Sequence, residues 1–158
     1  MARWRRCWPA RDTIALPAGA VLLSPWSDLT GESATTISRA SVGPMLVGAR
    51  IAHGARPTSQ GQTHATRSHH RSTPLFADLR GLPPLLVHAS DAEELLDDSR
   101  LLVERARAAG VAVTLHVWGG LFHVFPIFPT WLPEARKAVA EMASVILAWT
   151  SQSAEPRQ

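Results

Sequence analysis

The run Pro84-Leu85-Leu86-Val87-His88-Ala89-Ser90 is short, nearly continuous in apolar residues and bounded by Pro83 and Asp91. A run of that length reads as a strand buried on both faces, because a strand exposed on one side would alternate. The residues after it support the reading. Asp97 or Asp98 can cap a helix with apolar positions at Leu101, Leu102, Ala106 and Ala109, and Gly110 supplies the left-handed residue that ends it. Val111–Trp118 then alternates and carries β-branched residues at 111, 113, 114 and 117, which predicts another strand closed by Gly119-Gly120.

Upstream, Ala20–Ser24 is a second short apolar run stopped by Pro25, again a strand buried on both faces. Downstream, Glu134–Thr150 places Ala135, Ala138, Val139, Met142, Val145, Ile146 and Trp149 at helical spacing. Strands separated by helices predict an α/β architecture: about three parallel strands, right-handed crossovers and flanking helices on both faces. Residues 31–73 hold about half of the Ser, Thr, Gly and His of the chain with little periodicity, and are expected to be irregular or cap-like. The best-defined part is 74–150. Three strands leave both sheet edges open, which points to architecture completed by a partner or by self-association.

The chain has 158 residues and 46% hydrophobic content, enough for one domain and too few for two large ones. Its one cysteine, Cys7, excludes an intrachain disulfide and a multi-cysteine zinc site. Residues 1–71 carry nine Arg against three acids, a net +6, while residues 72–158 carry seven basic groups against ten acids, a net −3. The Arg residues are scattered and not interleaved with stacking aromatics, so no nucleic-acid partner is expected. Met1–Arg11 and Thr13–Leu23 imitate a secretory leader, but Asp12 and Pro17 interrupt it. No run approaches the ~18 apolar residues of a membrane span, and the expected location is cytoplasmic.

In parallel sheets, function gathers at the carboxyl ends of the strands. Ser90–Glu94 and Gly119–His123 are two such loops, so an acid and a histidine can meet above neighbouring strand ends. A carboxylate that fixes an imidazole, and an imidazole that takes a proton from a nucleophile, form two-thirds of a hydrolytic triad.

Four ordered segments extend this reading: Pro17–Thr30 (PAGAVLLSPWSDLT), Ser72–Leu85 (STPLFADLRGLPPL), Glu93–Ser99 (EELLDDS) and Gly110–Phe125 (GVAVTLHVWGGLFHVF). Together they resemble the carboxy-terminal half of the hormone-sensitive-lipase-like esterases, a branch of the α/β-hydrolases. The resemblance implies a single, incomplete α/β-hydrolase domain over 1–158 and hydrolysis of small carboxylic esters or lipids, with no cofactor and no metal. His123 falls on the catalytic histidine of the family's gly-x-x-his-x-phe phrase. By register, with Asp97 as the second acid four positions on, Glu93 falls on the catalytic acid, and Asp91 is its nearby competitor.

Two motifs of that family are missing from the 158 residues: the gly-x-ser-x-gly elbow and the his-gly-gly oxyanion motif. The nearest substitute, Gly31-Glu32-Ser33-Ala34-Thr35, has Thr where the sharp turn needs its second glycine. On the family's register the elbow precedes Met1, and Ala2–Leu16 takes the place of the helix after it. The chain by itself is therefore expected to lack ester hydrolysis, the alternative being a non-enzymatic fragment that acts through association. A metal site at His64, His69 and His70 lacks a helical pair with a matching carboxylate.

Overall fold

A computed structural model of the chain describes residues 16–29, 33–38 and 73–153. In chain order these form strand β1 (Ala20–Leu23), the short helix α1 (Ala34–Ser38), strand β2 (Leu85–Ser90), helix α2 (Leu96–Ala108), strand β3 (Val113–Trp118) and helix α3 (Pro133–Ser153). Single 3-10 turns at Pro74–Phe76 and Phe125–Ile127 precede β2 and α3. The three strands form a parallel sheet in the order β1-β2-β3. Of the segment expected to be irregular or cap-like, 33–38 contains α1, and 39–72 lies outside the described residues, as do His64, His69, His70 and Cys7.

Because side chains alternate across a strand, the sheet has two different faces. Leu85, on one face of β2, joins Leu102 and Ala106 of α2, Leu75, Leu79 and Val111 in one apolar cluster, with Ala20, Leu22 and Val113 packed against it. The opposite face carries His88 of β2 and His116 and Trp118 of β3, and it is covered by α3 and the Phe125 turn. All six residues of β2 are buried, as a continuous apolar run in a central strand requires. Full burial of side chains such as Leu86 and Val87 contributes about 1.5–3 kcal/mol each.

Three expectations need correction. The four residues of β1 are all half-buried, so this strand is not covered on both faces: among the described strands it pairs on one side only. Neither Asp97 nor Asp98 caps α2; the helix starts at Leu96 with no side-chain cap, and both carboxylates lie in its first turn and reach across the fold instead. Asp98 Oδ2 accepts the backbone N–H groups of Ser27 and Asp28, and Asp98 Oδ1 accepts the Ser33 hydroxyl at 2.8 Å. Asp97 and Thr35 make a reciprocal pair, each side chain accepting the other's backbone N–H at 3.0 Å. Leu101, finally, is exposed, and Val103 is the buried neighbour of Leu102.

The end of α2 follows its sequence. Gly110 takes φ 78° and donates its N–H to Arg107 O, a left-handed stop that a β-carbon would penalise. Helix α3 begins on Pro133, whose fixed φ suits a first helical position. Its inward stripe runs through Ala135, Ala138, Glu141, Met142, Val145 and Trp149, while Val139 and Ile146 face outward. Trp149 closes on the start of β1 so tightly that a β-carbon at Gly19 would lie 2.1 Å from its ring carbon Cε3.

Candidate active site

The carboxyl ends of β2 and β3 turn into the loops Ser90–Glu94 and Gly119–His123, and one serine ties them together. Ser90, fully buried at the last position of β2, donates its hydroxyl to Leu121 O and accepts the N–H groups of Ala92 and Leu121, both at 3.1 Å. Asp91 Oδ1 accepts the N–H of Gly120 at 2.7 Å, where the backbone passes through φ 67°. With both ends of the glycine turn held, the chain between them is short enough to deliver His123 above β2.

His123 Nδ1 lies 3.0 Å from Glu93 Oε2. The other oxygen of Glu93 accepts the backbone N–H of Ser90 at 2.9 Å, so the carboxylate is gripped on both sides and almost wholly buried. A carboxylate only accepts, so the shared proton belongs to Nδ1 and the lone pair of the ring is left on Nε2. Of the two acids weighed from the sequence, Glu93 makes the contact and Asp91 holds the turn. Glu94 is equally buried; burial pushes its carboxyl above the ordinary 4.5, with His123 acting in the opposite direction.

The backbone just beyond His123 is unusual. Val124 has φ 50° and donates its N–H to Ser24 Oγ at 3.0 Å, and Ser24 itself has φ 46°. A β-branched residue in this region is strained by roughly 1–3 kcal/mol, and such strain persists only where the surroundings impose it. Here the surroundings are the end of β1: Ser24 N donates to His88 O, and its hydroxyl fixes the residue after the histidine. Sequence reasoning passed over Ser24 and Ser90 as site residues. A serine closing each strand run, before Pro25 and Asp91, is the available signal.

Ser33 is not brought to this pair. Its hydroxyl donates to Asp98, on the side of the fold where α1 meets α2. A cavity of about 620 Å³ on that side is lined by Ser33, Phe76, Asp97, Arg100, Leu101 and Arg105 among others, and by neither Glu93 nor His123. The Gly31 and Glu32 of the serine segment lie outside the described residues.

Comparison with known proteins places the chain in a family. The profile of the alpha/beta hydrolase fold matches residues 5–127. The chain belongs to that family. An acetyl-hydrolase from Streptomyces hygroscopicus is 38% identical over 132 residues, covering 84% of this hydrolase-fold chain and 43% of the relative. An esterase from Acinetobacter venetianus is 34% identical over 128 residues, covering 81% and 42%. Among solved structures, a hormone-sensitive lipase from a metagenome library superposes with a TM-score of 0.77 at 34% identity, over 88% of this chain and 47% of the other. The chain thus spans under half the length of these relatives. None of its described helices is long and apolar enough to cross a membrane.

Proposed function

We propose that this chain supplies the acid and the base of a carboxylic ester hydrolase, Glu93 and His123, to a serine nucleophile and oxyanion donors that its 158 residues do not contain. The observation that carries the reading is the 3.0 Å contact between Glu93 Oε2 and His123 Nδ1. The esterase and acetyl-hydrolase names of the relatives favour small esters as the substrate class.

In the proposed reaction, Nε2 of His123 takes the proton of the serine hydroxyl as its oxygen attacks the ester carbonyl. Glu93 keeps the ring in the tautomer that leaves Nε2 free, and stabilises the imidazolium that forms. The same proton passes to the departing alkoxide. Water then repeats the sequence on the acyl-enzyme. With no nucleophile, the imidazole has nothing to activate, and triad members act as a unit, so the pair alone retains no proportionate share of the rate.

The test is hydrolysis of p-nitrophenyl acetate by the purified chain beside His123→Ala and Ser33→Ala. The proposal expects equal, background turnover in all three. Turnover lost in both variants would place the nucleophile at Ser33 and overturn it.

The half-exposed β1 supports a second reading, in which the chain acts by pairing this sheet edge with another polypeptide. Sedimentation that shows only monomer across a wide concentration range would count against self-association. The single cysteine fits a reducing compartment, and we place the chain in the cytoplasm.

A further inference from the structure

The α3 face of the sheet holds a second cluster of chemistry-bearing side chains. His88 and His116 are direct partners in the β2–β3 register, so their imidazoles stand side by side, ring centroids 5.7 Å apart. Glu141, on the inward stripe of α3, reaches down between them. Its Oε2 is 2.9 Å from His116 Nδ1 and 3.7 Å from His88 Nε2. His88 is almost wholly buried, and its Nε2, aimed at this carboxylate, has no hydrogen-bond partner among the described residues. Among the described residues the Glu141 carboxylate is hydrogen-bonded by His116 alone, and the orphaned buried nitrogen of His88 costs stability unless something satisfies both side chains.

One kind of ligand satisfies them together. The three donor atoms lie within 4.8 Å of one another. Ligands at 2.0–2.1 Å around a tetrahedral ion are about 3.3 Å apart, and the observed 2.9 and 3.7 Å bracket that spacing. Two imidazoles and one carboxylate suit zinc and its neighbours, whereas magnesium and calcium take all-oxygen sets. His116 and Glu141 are partly exposed, which gives the ion a way in and a water in the fourth position.

We propose that His88 Nε2, His116 Nδ1 and Glu141 Oε2 form a binding site for one divalent transition-metal ion with the preferences of zinc, which fastens α3 to β2 and β3. Trp118 opposes loading. Its indole N–H donates to His88 Nδ1 at 2.9 Å, and an indole nitrogen only donates, so in the metal-free chain the proton of neutral His88 sits on Nε2. On loading, that proton moves through solvent to Nδ1, the Nε2 lone pair binds the ion, and the indole gives up its acceptor and turns aside. His116 shifts its proton from Nδ1 to Nε2 in the same way.

The experiment titrates zinc, and separately cobalt, into the purified full chain, with bound metal counted after dialysis. His116→Gln and Glu141→Gln run beside the wild type, because both side chains are partly exposed and the variants are expected to fold. His53, His64, His69 and His70 offer donors elsewhere, so the decisive quantity is the difference between chains. The expected result is one equivalent that the wild type holds and both variants lose or bind at least tenfold more weakly. Cobalt then shows the absorption of tetrahedral coordination in the wild type, and tryptophan fluorescence changes with loading. Trp118→Phe, which removes the competing hydrogen bond, binds about fivefold more tightly. Equal metal content and affinity in the wild type and both variants would overturn the site, as would a wild type that binds none. A Trp118→Phe affinity no better than wild type would overturn Nε2 of His88 as a ligand.

Discussion

Glu93 and His123 are thirty residues apart in the chain and 3.0 Å apart at Oε2 and Nδ1, because adjacent parallel strands end beneath them. The pair depends on more than its own contact. Ser90 holds the backbone on both sides of it, with its N–H on Glu93 and its hydroxyl on Leu121. The first prediction comes from the direction of the hydrogen bond. Glu93→Gln can turn an amide N–H toward Nδ1 and draw the ring proton to Nε2, where the lone pair is needed. Nitrogen NMR of the imidazole should show the Nδ1–H tautomer in the wild type and a shift toward Nε2–H in the variant.

Val124 sits at φ 50°, a conformation that glycine adopts without cost and valine does not. Val124→Gly should therefore stabilise the chain by about 1 kcal/mol, less whatever the freer unfolded chain regains. Denaturant midpoints of the two chains check this. A variant less stable by more than about 1 kcal/mol would mean that the valine side chain contributes packing that outweighs the strain.

Gly19 tests the docking of α3. A β-carbon there meets the ring of Trp149, so Gly19→Ala is expected to cost about 1–3 kcal/mol, the range for an overfilled contact. Trp149→Leu should recover part of that loss in the double variant, although it is destabilising alone. Additive single effects would show that the two residues do not meet.

Asp98 carries the pH dependence. Burial pushes its carboxyl above the ordinary 3.8, and the hydrogen bonds from Asp28 N, Ser33 Oγ and Ser27 N pull less strongly in the other direction. The folded chain thus binds this proton more tightly than the unfolded chain does. The associated stability is complete below pH 3.8 and is lost as pH rises through the folded value. Asp98→Asn removes the titration, so the stability of wild type minus variant should fall as pH rises across that window. A difference that grows with pH would reverse the sign of the argument.

The sheet was legible in the sequence because each strand leaves a local mark. The apolar run of β2, the span of β3 and the glycine after α2 all survive in the structure, within one or two residues of where the pattern placed them. The burial of β3 does not alternate, however: Val117 is exposed while His116 and Trp118 are partly buried under α3. The meeting of Glu93 with His123 was legible through the order of the loops and the family phrase around His123. What the sequence hid is non-local. Asp97 and Asp98 look like caps because their spacing to α2 is right, yet their partners are Thr35, Ser27, Asp28 and Ser33, more than sixty residues away. The His88–His116–Glu141 cluster is hidden in the same way: two strands in register and one helix turn bring it together, and no short motif records it. Glu141 left one trace, a charge on the stripe that faces the sheet.

The central claim is that Glu93 and His123 serve a nucleophile carried by another stretch of polypeptide. The most direct measurement adds to this chain the separately expressed part of the Streptomyces hygroscopicus acetyl-hydrolase that it does not match, and follows p-nitrophenyl acetate hydrolysis. The account predicts turnover in the mixture, absent from either piece alone and reduced about a thousandfold or more by His123→Ala. Turnover in the mixture that His123→Ala and Glu93→Gln leave unchanged would contradict it.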